Sequence, residues 1–462
     1  MKLEKSYYES PRWSTEILDC SMPMSFDTYS NCAHQCVYCF AYFQRAVGGS
    51  ADAYLAHKVK SVNVQKVKKL FLEPEKYYGG QFAWYIKARH VLQWGGMSDG
   101  FDWYERKFRK SLELLRFFRE IDYPLSISTK GVWWIDDPEY REVVTGWKNL
   151  HWKYSIITTD EEDCKKVEAG VVSPYKRFEA LKRIKEEFGN YTTTCFRPYM
   201  IGISDKTVED MFRMSHWANV DSLTTEFLCI EKRASNTAAE RYRIMSEYCG
   251  FDVYEFYVKN SRMQGLMRLN YDVKRPYIAQ MEELAAQYNV PFFVSDAHHK
   301  EKSASCGCCG LPTQQGSDLS NAFTGHFAEA ILIAKRNGKV FWSDIAEQAE
   351  PLKNIPYDRA QGYNTGSSGK RAKGMYWTMF DFMKNQWNNI MSWQSPARYF
   401  GGVLVPNGVD ENKNIIYVYN EKFVNTGEHI RSVVGLGLVD QEQGEDHGGV
   451  ELPMLKSEAS SE

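Results

Sequence analysis

Six short apolar runs, spaced by charged stretches with helical periodicity, organise the first half of this 462-residue chain. The runs are Met24–Tyr29, Val91–Gly95, Leu125–Thr129, Trp152–Ile157, Thr192–Arg197 and Ser222–Leu228. Between them, Tyr104–Glu120, Pro138–Thr145, Pro174–Phe188 and Thr207–Trp217 read as helices, with Ser173 and Pro174 forming a cap-plus-first-turn start. Strands separated by whole helices pair in parallel through crossovers rather than hairpins. The expectation is therefore an α/β fold: a partial (βα)6 barrel over 1–235, open on one side, with a mainly helical C-terminal extension. Beyond residue 235 the alternation weakens. Thr237–Cys249 and Tyr277–Tyr288 read as helices and Pro291–Ser295 as a strand, so 236–317 is expected to close the barrel and carry a Cys-rich loop. Residues 318–437 read as mainly helical with a β-rich end at Gly402–Val424, and 438–462 as a disordered acidic tail.

The net charge of −2 hides an asymmetry. From Asp440 onward seven acids face one lysine, which leaves the preceding body at about +4 by formal counting. That balance permits a polyanion partner. Eleven cysteines in a chain of this length do not make a disulfide scaffold and read as cluster ligands, buried small residues or hydrogen-atom donors. The start Met1–Ser10 is polar and charged, and no apolar run approaches the length of a bilayer. The expectation is no membrane and a cytoplasmic location (the host cytoplasm if the chain is phage-encoded).

Directly after the first run, Cys32, Cys36 and Cys39 stand in a C-x3-C-x2-C triplet. Three thiolates at this spacing hold three irons of a [4Fe–4S] cluster and leave the fourth open to a chelating ligand. Structural zinc wants four ligands, usually in two short pairs, and no second C-x2-C pair follows at finger spacing. The triplet, with Phe40 after its last Cys, resembles the signature of radical S-adenosylmethionine (SAM) enzymes. That resemblance implies that the open iron chelates SAM and that an electron donor such as flavodoxin or ferredoxin reduces the cluster.

Further segments resemble the spore photoproduct lyase-like branch of that superfamily. Gly95-Gly-Met-Ser-Asp-Gly-Phe-Asp-Trp-Tyr-Glu-Arg106 is similar to its Ser-Asp turn, Ile127-Ser-Thr-Lys130 to its third strand, and Glu168-Ala-Gly-Val-Val-Ser-Pro-Tyr-Lys-Arg177 to its Glu-Pro-Gly-x-x-Ser-x-x-x-Arg segment. The resemblance implies cofactor-binding roles for Phe40, Ser98, Asp99, Lys130, Ser155 and Arg177. Loops at the carboxyl ends of parallel strands are where such folds bind ligands. One position departs: the branch's hydrogen-donating Cys before the turn is matched here by Gly96, so a thymine-dimer repair cycle that needs this thiol is not expected.

A second group, Cys306, Cys308 and Cys309, follows Asp296, His298 and His299. It reads as an auxiliary iron–sulfur cluster, a catalytic hydrogen-donating thiol, a small metal site with a His, or buried packing. The segment Tyr363–Trp377 combines glycines with Lys370, Arg371 and Lys373 and then aromatics, and Lys58–Lys69 is a second basic stretch. Both suit phosphates and unpaired bases, and equally a solvated surface.

Together these features give the functional expectation: radical chemistry on a thymine-derived base in DNA. The chain further resembles the phage-encoded radical SAM enzymes of thymidine hypermodification, which implies isomerisation of an N-linked glycinyl-thymine to a C-linked form. Two other classes stay open. One is a radical SAM enzyme for a peptide or small metabolite, with an auxiliary cluster at Cys306–Cys309. The other is a non-catalytic metal protein that binds nucleic acid.

Overall fold

The computed structural model describes residues 3, 7–8, 10–14, 17–42, 56, 58–231, 236–264, 266–303, 305, 309–312, 316–357 and 378–426, without the side chains of 236–238 and 262–266. The readings at Cys306, Cys308, the 363–377 loop and the 438–462 tail lie outside these residues.

A short edge strand, β1 (Arg12–Trp13), pairs antiparallel with β2 (Met24–Phe26). From there β3 (Leu92–Trp94), β4 (Leu125–Thr129), β5 (Leu150–Ser155), β6 (Tyr191–Tyr199) and β7 (Ser222–Phe227) follow in sequence order, each parallel to its neighbours. A small antiparallel sheet comes next: β8 (Ile230–Glu231), β9 (Ser261–Gln264) and β10 (Leu266–Leu269). β11 (Phe292–Val294) then returns to the barrel and pairs parallel with β7. The result is an open, mostly parallel eight-stranded sheet, a partial barrel with the expected order. Its seventh parallel strand, β11, is the Pro291–Ser295 run. Beyond it, helices Phe327–Asn337, Trp342–Ala349 and Met379–Asn388 pack with the antiparallel β12 (Lys339–Val340), β13 (Leu404–Val409) and β14 (Ile415–Tyr419).

The helix read as Tyr104–Glu120 is two helices, Trp103–Phe108 and Lys110–Glu120, broken at Arg109 in the left-handed region (φ 54°). Arg109 is drawn aside to Asp137 (2.7 Å) and Glu139 (2.5 Å). Buried Glu105 replaces the lost backbone partners: its carboxylate accepts from Ser111 N (2.8 Å) and Leu112 N (2.9 Å) at the second helix's start. Other helix starts follow their capping chemistry. Asn63 accepts from Lys66 N ahead of helix Val64–Leu72, Asp137 precedes Pro138, and Ser173 precedes Pro174.

The two faces of the parallel sheet differ sharply. Outward positions carry Trp94, Ile127, Trp152 and Phe196, buried under the helices, with Trp152 stacked on Trp134 at 4.2 Å. Lumen positions carry Ser25, Gln93, Ser126, His151, Lys153, Thr193, Cys195, Ser222 and Thr224. A packed barrel fills its lumen with branched apolar side chains; this one does not. At the amino-terminal end of the strands a hydrogen-bonded layer forms the floor. It runs from Ser126 Oγ to His151 Nδ1 (3.0 Å), from His151 Nε2 to Thr193 Oγ1 (2.7 Å), and from Thr193 to Ser222 (2.7 Å), whose Oγ donates to the Gly310 carbonyl (3.1 Å). A Cβ on Gly310 (φ 81°) would lie 2.5 Å from Ser222 Oγ and 2.8 Å from Thr193, so only glycine lets the chain plug the lumen here.

Candidate active site

The cysteine loop leaves the carboxyl end of β2 and lies across the mouth of the barrel. Cys36 is buried and Cys32 and Cys39 are half-buried. The loop is pinned from several directions. Asn31 Oδ1 accepts from Cys32 N (2.7 Å), Asp102 Oδ2 from Ala33 N (2.6 Å), and the Val167 carbonyl from Val37 N (3.0 Å). From 205 residues downstream, Arg241 donates to the carbonyls of Cys36 (2.9 Å) and Val37 (3.2 Å), with its guanidinium over the Tyr42 ring at 3.8 Å.

His34 does not face the cluster position as a ligand. Its Nδ1 donates to the Gly170 carbonyl and its Nε2 to Asp99, both at 3.0 Å. Burial lowers its pKa, but the hydrogen bond and charge of Asp99 win and the net direction is up. A Cβ at Gly170 would come within 2.7 Å of the His34 carbonyl, so this glycine permits the two loops to meet.

Burial raises the Cys32 thiol well above its ordinary range and pushes Cys36 up to about 12; Cys32 also feels Cys36 and Cys39, and Cys36 feels Cys39. Thiols so placed ionise only against a strong cation, as iron provides. Among the described residues no three His, Cys, Asp or Glu side chains converge on a single-ion position. A mononuclear ion needs all its ligands about 2.0–2.3 Å from one point, whereas a four-iron cluster takes one thiolate at each corner. The donor set of three sulfurs on one pinned loop fits a cluster.

The residues singled out by resemblance fall into two groups. Lys130, at the end of β4, lies near the cysteines, with Nζ 3.9 Å from Glu168 Oε1 and over the Tyr38 ring. Burial lowers its pKa, but Cys36 and Glu168 outweigh that and keep it raised. Ser155 ends β5 half-buried on the lumen face. Phe40 is 52% exposed beside the last cysteine.

Ser98, Asp99 and Arg177 are instead engaged by the chain. Ser98 Oγ donates to the Tyr29 carbonyl (2.8 Å) and to Asp27 (3.2 Å). Asp99 accepts from Phe101 N, Thr129 Oγ1, Lys130 N and His34, which occupies its acceptor sites. Arg177 is fully buried against Glu168 (2.7 Å), the Ser155 carbonyl (2.6 Å) and Cys164 Sγ (3.1 Å). These three hold the mouth in shape.

At Gly96 the lumen is occupied by Arg12, whose Nη2 lies 3.1 Å from where a Cβ would stand and pairs with Asp27 at 2.5 Å. Cys309, from the second cysteine group, is buried at the floor beside Met22, Val91 and Leu311, with Arg197 Nη1 3.8 Å from its sulfur.

Beside the cysteine loop a cavity of about 950 Å³ opens among the segments that follow β2, β3 and β4, lined by Lys58, Arg106, Lys130, His34, Trp103 and Trp133 among others. Trp103 is exposed and carries the Arg106 guanidinium at 5.2 Å. Sequence reasoning missed Arg12, Arg241 and this cavity. The basic stretch is largely engaged: Lys66 lies over the Tyr78 ring, and Lys68 over Phe117 and 3.9 Å from Glu113. No helix among the described residues is long and apolar enough to cross a membrane.

No family model and no curated protein matches the chain. Among solved structures it is similar to spore photoproduct lyase. A variant of that enzyme with bound AdoMet and dinucleoside spore photoproduct gives a TM-score of 0.43 at 16% identity, covering 59% of this chain and 76% of the other. A second variant gives 0.46 at 14% identity, covering 62% and 80%.

Proposed function

We propose that this chain is a radical SAM enzyme that acts on a thymine-derived base in DNA. The observation that carries the reading is the three-thiol loop, pinned across the carboxyl-end mouth of a parallel partial barrel with a polar lumen. Cys32, Cys36 and Cys39 would hold a [4Fe–4S] cluster. With SAM bound, cluster and cofactor would supply a carbon-centred radical able to take a hydrogen atom from an unactivated carbon.

The chain's own residues would prepare that chemistry. Lys130 offers a cation beside the cysteines for the SAM carboxylate. Arg241 and Val167 fix the loop, and the Glu168–Arg177 pair fixes the end of β5. Phe40 and Ser155 border the cofactor position. A reducing partner such as flavodoxin or ferredoxin would approach the half-exposed loop.

A base inside a duplex is out of reach of such a lumen, so it would enter flipped or unpaired. The cavity at the mouth, with Trp103, Trp133, Arg106 and Lys58, suits a neighbouring base and phosphates. The narrower reading is isomerisation of N-linked glycinyl-thymine to its carbon-linked form. That change is redox-neutral: a hydrogen atom leaves the glycyl Cα, the thymine methylene shifts from nitrogen to that carbon, and a hydrogen atom returns to nitrogen. It needs no thiol at Gly96, where Arg12 stands. Peptide or metabolite chemistry with an auxiliary cluster is the second reading, and it rests on Cys309 reaching the lumen floor.

The test is anaerobic 5′-deoxyadenosine formation by the reconstituted, reduced protein with plain DNA and with DNA carrying glycine-substituted thymine. Stimulation by the modified DNA alone, with a nucleoside of changed retention and unchanged mass, is the expected result. SAM cleavage indifferent to every DNA rejects the base substrate.

A further inference from the structure

Lys153 sits in the middle of β5, in register with Ser128 of β4 and Thr193 of β6. Leu150, Trp152 and Tyr154 of the same strand pack outward, so His151, Lys153 and Ser155 face the lumen. Lys153 is only 1% exposed. Burial lowers the pKa of His151, below it, and the Lys153 charge adds to that; burial raises the Cys195 thiol, across on β6, and the Lys153 charge offsets part of the rise. Yet among the described residues no hydrogen bond or ion pair reaches its ammonium.

Three other buried cations have an acid, and Arg241 donates to the carbonyls of Cys36 and Val37. Arg177 has Glu168, Lys274 has Asp296 at 2.6 Å, and Lys300 has Asp19 at 2.8 Å. Among the described residues, two acids on lumen positions are already taken: Asp27 by Arg12, and Glu226 by Arg197 at 2.6 Å. Arg12, opposite Ser25 on the same face, adds an Nη1 that is buried without a partner. A buried ammonium with no counter-ion is strongly unfavourable, and a lumen with surplus positive charge fits an anion brought by a ligand.

We infer that Lys153 is the anchor of an anion subsite inside the barrel, and that the substrate carries a carboxylate that pairs with it. The inference rests on the proposed function for the scaffold that bears the carboxylate, a thymine-derived base. It narrows the substrate: a thymine with an uncharged 5-substituent would leave Lys153 unpaired, and an amino-acid substituent would not. The carboxylate would hold the substituent at the depth of the middle lumen layer, below the cysteine mouth, so Lys153 is a specificity-determining residue.

The test is equilibrium binding to the reconstituted anaerobic protein of glycine-substituted thymidine, its neutral glycinamide counterpart, and SAM, with Lys153→Met and Lys153→Arg. A charged hydrogen-bonded contact predicts that Lys153→Met weakens the carboxylate nucleoside about 10- to 100-fold. The amide and SAM should stay unchanged, and Lys153→Arg should recover most of the loss. Equal weakening of acid and amide would overturn the inference, as would a loss confined to SAM, which would assign Lys153 to the cofactor's carboxylate. If no nucleoside binds the wild type, the thymine reading fails, and acetate then reads the subsite alone. Acetate line broadening that Lys153→Met abolishes supports the anion site, and equal broadening by both proteins overturns it.

Discussion

Arg177 and Lys153 are both at most 1% exposed, and both belong to the β5 region of one barrel. Arg177 is bonded to a carboxylate, a carbonyl and a sulfur, while Lys153 meets no acid among the described residues. The difference separates scaffold from site. A buried charge whose partner is built into the chain stabilises geometry, and a buried charge without one is kept where a ligand completes it. The same contrast runs through the mouth, where Ser98 and Asp99 are consumed by the chain while Lys130 stands beside the cysteines.

The sharpest break in this comparison comes from the cluster itself. Cys36→Ala is expected to abolish iron binding at the triplet and all SAM cleavage, read by iron content and 5′-deoxyadenosine yield, while the fold's circular dichroism persists. Next in size, Arg177→Met removes the buried ion-pair partner of Glu168 and should cost about 3–5 kcal/mol in denaturant unfolding. Lys153→Met should move stability the other way, by about 1–3 kcal/mol, because it removes a charge that the folded chain does not pair. A loss of stability there would show that Lys153 has a structural partner.

The effect that is smallest at any one pH step concerns another buried group. Neither ring nitrogen of His326 has a hydrogen bond, and burial brings its pKa down to about 3. The folded chain keeps it neutral while the unfolded side chain protonates near 6.5. Its contribution is therefore full above that value and is lost as pH falls from about 6.5 toward 3, at about 1.4 kcal/mol per pH unit. His326→Leu should flatten the acid limb of the stability profile by that slope.

Much of this was legible in the sequence. The six runs became parallel strands because β-branched and aromatic residues between helical stretches have few other ways to pair. The cysteine loop landed at the strand ends, where the proposed chemistry needs it. The lumen was also written there. Leu150-His-Trp-Lys-Tyr-Ser155 alternates apolar and polar residues, and a strand buried between helices in a parallel sheet normally does not. That alternation marks a polar, ligand-facing interior. Other features were not legible, because they depend on contacts far apart in the chain. Arg241 reaching the cysteine loop, Arg12 filling the space at Gly96, and Asp137 and Glu139 pulling Arg109 out of a helix leave no local pattern. The resemblance also named Ser98, Asp99 and Arg177 as ligand contacts, without sight of the chain groups that engage them here.

The central claim is an open-iron cluster at Cys32, Cys36 and Cys39. It is tested most directly by the electron paramagnetic resonance spectrum of the anaerobically reduced protein with and without SAM. The account predicts a reduced [4Fe–4S] signal whose shape changes when SAM is added, and which is absent from Cys36→Ala. A protein with no such signal, or with one that SAM leaves untouched, would contradict it.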